Sequence, residues 1–406
     1  MRTWIAALTM LGGLAAHAGP PGDGRDMDMG MGRSGRGDGQ GQSSGNRVLY
    51  TVRNLSSLGG TSSAGNGLTD NGWVTGSSNL AGDTASHATI WIRGFLVDLG
   101  TLGGPNSNVA WPVKNDHGVV SGIAETNDPN PLGERWSCRF FFASTTGKVC
   151  RGVVWEFGQI RALPLFPGGI MSFATGTNNQ RETVGWSENG VLDPTCTGSQ
   201  KLQFRAAMWG PGPTQMQELP PLPPDSTSAA TAVNDHGQAV GISGACSIAV
   251  GGLSARGMVL WENGRATEIP SFGGIAWNTP MAINRWGDVV GFANASAADG
   301  ASPNFRAFFW SRRTGLKMLL LPGDTSSQAL GINDWGQVVG QSCGPSVCRG
   351  FLYQNGQIVD LNDHLAPGYP GHIEFAGDID PHGRITGQAS QGGQFYAFIA
   401  TPGGGD

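Results

Sequence analysis

Ala329-Leu330-Gly331-Ile332-Asn333-Asp334-Trp335-Gly336-Gln337-Val338-Val339-Gly340 sets two short runs of small and apolar residues on either side of an Asn-Asp-Trp-Gly turn. Asn and Asp side chains bond their own backbone and tolerate unusual dihedrals, and Gly supplies positive φ without steric cost. The stretch therefore predicts strand, tight turn, strand. Downstream, Arg349-Gly350-Phe351-Leu352-Tyr353 predicts a third strand, Asn355-Gly356 a hairpin turn, and Ile358-Val359-Asp360-Leu361 a fourth strand.

The pattern occurs seven times, as TDNGWVTG, NDHGVVSG, NNQRETVG, NDHGQAVG, NRWGDVVG, NDWGQVVG and DPHGRITG, closing at Gly76, Gly122, Gly185, Gly241, Gly291, Gly340 and Gly387. The intervals run from 46 residues (122−76) to 63 (185−122). Repeats of about 40–50 residues built from short strands point to a propeller or a solenoid. Third strands recur at 87–91, 151–155, 205–209, 256–261, 306–310 and 396–400, and fourth strands often end in Gly-Gly. Four strands per unit is the count of a propeller blade. Ala174, Ala230, Ala329 and Ala376 each lie four residues before the turn Asn or Asp. Small residues there suit the narrow centre of a propeller.

The two ends of the repeat region complement each other. The seventh copy stops after its third strand at Ala400, and Val48–Val52 is an orphan fourth strand leading to Leu58-Gly59-Gly60. Pairing them would complete one blade and remove an exposed edge. The fold expected is all-β: a seven-bladed propeller of four-stranded blades over residues 47–406, closed by the N-terminal strand.

Composition agrees. Gly makes up 67 of 406 residues and charged residues 14%, so turns are many and helix-decorating Lys and Glu few. Net charge is −5 with no basic stripe, which argues against nucleic acid as a partner. Arg2, the apolar run Trp4 to Leu14 and Ala16-His17-Ala18 read as a signal peptide over residues 1–18. No later run approaches the ~20 apolar residues of a membrane span. Residues 19–46, rich in Gly, Asp and Ser, read as a disordered leader. Its Met27, Met29 and Met31 are soft donors suited to Cu(I), but a solvated linker is the simpler reading and no metal is expected. Cys138, Cys150, Cys196, Cys246, Cys343 and Cys348 include no Cys-x-x-Cys pair, so disulfides in an oxidising compartment are expected rather than zinc.

These features resemble the HAF extracellular repeat family. Asp98-Leu99-Gly100-Thr101-Leu102-Gly103-Gly104 matches its Asp-Leu-Gly-Thr-Leu-Gly-Gly close, Ile332-Asn333-Asp334-Trp335-Gly336 its turn, and His87-Ala88 the start of its His-Ala-Phe strand. Elsewhere Arg-Ala or Arg-Gly stands in place of His-Ala. The resemblance covers about residues 47–400 and implies an exported bacterial protein of largely unassigned function, with no catalytic residues to transfer. Kelch-type propellers, which also use Gly-Gly and Trp, rank second.

A residue repeated in most units does a per-unit job; a site should break the pattern or lie on the axis. Arg151, Arg205, Arg256, Arg306 and Arg349 occupy one place, where each guanidinium would satisfy carbonyls or stack on Trp. Trp91, Trp155, Trp209, Trp261 and Trp310 read as core. His117, His236, Trp286, Trp335 and His382 sit at the turn tips, either simply exposed or forming a shallow aromatic binding rim. Ser63, Asn108, Ser172, Ser228, Asn278, Ser327 and Glu374 precede the small inner residues, a polar ring that either binds a small polar ligand or caps backbone. Long loops at 123–138, 186–203, 242–254 and 292–304 share that end, which makes it the expected binding face. Cys343–Cys348 would close a small loop, Cys196–Cys246 would staple neighbouring blades, and Cys138 and Cys150 flank Phe140–Phe142, a candidate extra hairpin. Asp363, His364, His372 and Glu374 lie close enough in sequence for metal or acid–base chemistry. No Gly-x-Ser-x-Gly, His-Glu-x-x-His or phosphate loop occurs.

The expected function is an exported, monomeric, non-enzymatic scaffold that binds a protein or glycan through its loop-rich face, without cofactor. The alternative is a propeller lyase or hydrolase acting on polysaccharide, with Glu374, Asp225 and Asp324 as its carboxylates.

Overall fold

The computed structural model describes residues 48–134, 140–142, 144, 146–212, 215–248 and 251–403. The signal and leader expected over 1–46, and Cys138, lie outside the described residues. The regular structure of the described chain is almost all strand, broken only by short helical turns. Five sheets have four antiparallel strands in chain order, and one has eight. The fourth repeat is typical: Thr227–Val233, Ala239–Gly244, Gly257–Glu262 and Arg265–Ile269. The eight-stranded sheet holds two such meanders, those of the first and seventh repeats, joined where Ser62 pairs in parallel with Phe395.

The sixth repeat shows how closely the residues set the strands. Its strands are Ser326–Ile332, Val338–Cys343, Cys348–Gln354 and Gln357–Asp360. Asn355 and Gly356 have φ of 51° and 82°, the double positive φ of a type I′ hairpin.

The closing glycines have a different cause. The first strand bulges two residues before it ends, as between Ala230 and Ala232 and between Ala329 and Gly331. That kink drives a carbonyl at the second strand. A Cβ on Gly241 would sit 2.0 Å from the Ala229 oxygen, and one on Gly340 2.0 Å from that of Gln328. Close approach, not positive φ, demands Gly at this place.

Sheets of successive repeats pack face to face. Trp91, Trp209 and Trp261, all buried, end third strands and donate their indole N–H to Ser56, Pro164 and Pro220 carbonyls at 2.7–2.9 Å, across the seam to the preceding strand end. The repeated arginines also tie strands to connections: Arg151 to the Leu163 carbonyl, Arg205 to Glu218, Arg256 to Asp225, Arg306 to the Thr325 carbonyl and Arg349 to Asp324 and Asp360.

The termini meet. Tyr50–Asn54 pairs antiparallel with Gln394–Pro402, from Tyr50 against Pro402 to Asn54 against Phe398. The strand begins two residues later than the sequence suggests, and it buries Tyr50. Among the described residues two disulfides are formed, Cys196–Cys246 and Cys343–Cys348, as the spacing suggests. The expected hairpin at Phe140–Phe142 is not there: Phe140 and Phe141 are helical, and Phe141 is driven inward by its apolar bulk. No helix among the described residues is long and apolar enough to cross a membrane.

Candidate functional site

The seven turns converge at one end of the molecule, and the asparagines explain why. Asn234 accepts from the backbone N–H of His236 and Gln238 through Oδ1, at 3.0 and 3.1 Å, and so caps its own turn. Its Nδ2 donates to the Asn284 carbonyl of the next turn at 3.0 Å. The same reach runs from Asn115 to Thr177, Asn178 to Asn234, Asn284 to Asn333 and Asn333 to Asp380, at 2.9–3.3 Å. A carboxamide can do both jobs because it carries an acceptor and a donor. The seventh repeat has Asp380, whose carboxylate offers acceptors but no amide donor. There Arg384 pairs with Asp380 and donates to the Asp70 carbonyl of the first repeat at 2.8 Å.

A second tier lies outside this girdle. Backbone N–H groups of Asp116, Asn179 and Arg285 donate to the side chains of Asn179, Asp235 and Asp334 on the following turns, at 2.8–3.0 Å. The tip residues follow suit. His117 Nε2 lies 3.2 Å from the Asn179 oxygen, while the indoles of Trp286 and Trp335 donate to the Asp334 and Pro381 carbonyls at 2.9 and 3.0 Å. The tips are therefore held on their neighbours even though Trp286 is 65% and Trp335 76% exposed.

Inside the girdle is a cavity of about 90 Å³. Val233, Ile283, Ile332 and Ile379 give it an aliphatic floor, and Asp70, Asp116, Asp235 and Asp334 surround it together with Lys114 and Arg285. Burial and the neighbouring Asp116, with Asp380 and Asp334, raise the Asp70 carboxyl against the pull of Lys114. Lys114 departs from its equivalents, which are Leu68, Thr177, Val233, Ile283, Ile332 and Ile379. Its ammonium reaches from the second repeat to the seventh, 2.6 Å from Asp378 Oδ1 and 3.0 Å from the Ile379 carbonyl. Asp378 also departs: its equivalents are Gly67, Val113, Gly176, Ala232, Ala282 and Gly331. Its carboxylate is fully buried, accepts from Leu68 N at 2.8 Å, and has its pKa pushed up by burial to about 6 despite Lys114. A Cβ on Gly331 would come within 2.6 Å of Asp378 Oδ1, so the small neighbour makes room for the acid.

The polar ring singled out in the sequence lies at the opposite end of the first strands, in the seams between sheets. Ser63, Ser172, Ser228 and Ser327 each accept a backbone N–H of the preceding third strand, from Ala397, Gly152, Ala206 and Ala307, at 2.9–3.0 Å. Asn108 donates to the Phe141 carbonyl, and Asn278 to those of Arg256 and Gly274. Glu374 accepts from Ser390 Oγ at 2.6 Å. The axis at this end is filled: Trp111 packs 5.3 Å from Phe173, 5.4 Å from Phe141 and 5.9 Å from Trp186.

The other candidates are separately engaged. His372 Nε2 lies 2.8 Å from the Cys348 carbonyl and His364 Nδ1 3.0 Å from that of Asp360. Asp225 pairs with Arg256 and Asp324 with Arg349, in the fourth and sixth repeats. Asp193 sits beside Cys196 and Cys246, but those sulfurs are bonded to each other and offer no thiolate. The girdle was legible in part: the turns were seen, but not that their amides would reach the next turn. Lys114 and Asp378 could have been found by aligning the copies and asking where one departs.

No protein-family model matches this chain, and no curated protein does. Solved structures similar to it include an acylaminoacyl peptidase from Pyrococcus horikoshii, at 12% identity and TM-score 0.45, covering 86% of this chain and 52% of that one. This chain therefore spans about half the length of that peptidase. The β-propeller domain of the Trilobed protease from Pyrococcus furiosus is 9% identical at TM-score 0.41, covering 87% and 93%. A gluconolactonase from Xanthomonas campestris is 10% identical at TM-score 0.36, covering 89% and 94%.

Proposed function

We propose that this chain is an exported, non-enzymatic scaffold: a seven-bladed β-propeller, closed by its N-terminal strand, that binds a polar partner or glycan. The two meanders of the eight-stranded sheet count as two blades, and the circuit of turn-to-turn bonds from Asn115 round to Asp70 supports closure. The two disulfides and the HAF-like repeats agree with export into an oxidising compartment.

The observation that carries the binding reading is the axial cavity within the girdle of turns. A concave site with a few convergent polar groups is the default place for a ligand. It moves the binding face from the loop-rich end to the turn end. The loop-rich end is closed along the axis by Trp111 and its aromatic neighbours.

A glycan array with the native chain tests the reading, compared with Asp116→Lys at the turn mouth and Val347→Asp on the loop side. Binding is expected to survive V347D and to fall with D116K; the reverse pattern overturns the choice of face. Turnover of any bound glycan that disappears in Glu374→Ala overturns the non-enzymatic reading.

A further inference from the structure

We propose that Trp286 and Trp335 are two stacking positions for the sugar rings of a neutral, β-linked glycan whose hydroxyls are equatorial. This deepens, and rests on, the reading of the chain as a binding module with an active turn face.

The first ground is exposure without freedom. Both rings stand largely in water, yet both indole N–H groups are bonded to the next turn. Each ring is held in place before any ligand arrives, which lowers the ordering cost of binding. The second ground is register. Of the seven tips, these two alone are Trp, and they lie on consecutive repeats, 49 residues apart (335−286). The bond from Trp286 to the Asp334 carbonyl makes their turns direct neighbours. A linear chain of sugars can therefore meet one ring after the other.

The third ground is the chemistry between them. Arg285 lies 4.4 Å over the Trp286 ring and 4.0 Å from Asp334. A guanidinium beside a carboxylate offers donors and acceptors to a pair of hydroxyls. Trp faces are electron-rich and attract polarised C–H bonds, which an all-equatorial pyranose presents on its flat sides. Asp70, Asp116, Asp235 and Asp334 outnumber Lys114 and Arg285 at this mouth, so a polyuronate would be repelled.

The test is affinity electrophoresis of the native chain in gels containing laminarin, xylan or alginate. Retardation by at least one of the two neutral polymers, laminarin or xylan, and not by alginate, is expected. Trp335→Ala should weaken it about tenfold or more, and Trp335→Phe should restore only part of it, because Phe keeps a stacking face but loses the indole N–H bond that holds the ring. Trp286→Ala should cost less, because Arg285 already covers one face of that ring. Both rings are exposed, so the variants should melt within about 2 °C of the native chain. Retention of native retardation by W335A overturns the stacking assignment, and so does retardation by alginate alone or by none of the three polymers. The binding-module reading is judged separately, by the array and the D116K and V347D pair.

Discussion

Lys114→Met tests the one ion pair, among the described residues, that crosses between non-consecutive repeats. In the native chain Asp378 is fully buried, and its carboxyl rises from 3.8 to about 6. Between those values the folded chain keeps a proton that the unfolded chain has lost, so this group's contribution to stability falls as pH rises from about 4 to 6 and is level above. At about 1.4 kcal/mol per unit, the ionised group opposes folding by about 3 kcal/mol at pH 7.5. Methionine keeps most of the lysine stem and removes the charge. The bare carboxylate would then take up a proton, and holding it neutral at pH 7.5 costs about 5 kcal/mol relative to the ionised unfolded chain. The variant is therefore less stable by about 2 kcal/mol, below the 3–5 kcal/mol of a buried pair broken without such an escape. At pH 4.5 both proteins hold the proton and the difference closes to near zero. An unfolding entropy of about 0.75 kcal/mol per degree for a chain of this size makes the Tm loss roughly 3 °C at pH 7.5. Differential scanning calorimetry at pH 7.5 and 4.5 measures it. Adding Asp378→Asn should recover much of the loss at pH 7.5. An equal Tm loss at both pH values would show that Lys114 acts by packing and would refute the electrostatic account.

Gly241→Ala places a methyl 2.0 Å from the Ala229 oxygen and should cost at least 1–3 kcal/mol, read as a drop in Tm of a few degrees. Removing residues 48–54 bares the edge of Gln394–Pro402 and should destabilise the whole fold; an unchanged melting curve would contradict closure through this strand. Peptide mapping without reductant should recover Cys196–Cys246 and Cys343–Cys348. The first closes a separation of 50 residues and is worth about 4 kcal/mol of chain entropy, the second only about 2 for a separation of 5, so reducing the first should lower Tm more.

Most of the architecture was legible because each repeat carries its own punctuation. Asn355-Gly356 could hardly be anything but a hairpin turn, and Asn333-Asp334-Trp335-Gly336 fixed where the first strand stops. The meeting of the two ends was visible from counting strands. What could not be read was direction. The sequence shows that Ser228 and Asn234 lie at opposite ends of a first strand, but not that the hydroxyl turns into a seam while the amide reaches round the axis. Nor does it show that Trp111 and Phe173, distant in sequence, would fill the expected mouth.

The distribution of exceptions argues for the turn end. The closing glycines recur in every repeat and the Asn amides and seam serines in most of them, and their bonds and close contacts account for them. Lys114 and Asp378 have no such per-repeat duty, and neither does the choice of Trp at 286 and 335 over the His, Asn or Gln found elsewhere. All four lie at the same end. The girdle supplies the reason such variation is tolerated: with each turn held by backbone and carboxamide bonds, the side chains of the tip residue and of the two residues before the turn Asn need not be alike from repeat to repeat. If the chain is the binding scaffold proposed above, those are the places where its ligand can change without a change of shape. Unequal residues on equal turns are thus where selection for binding would leave its mark.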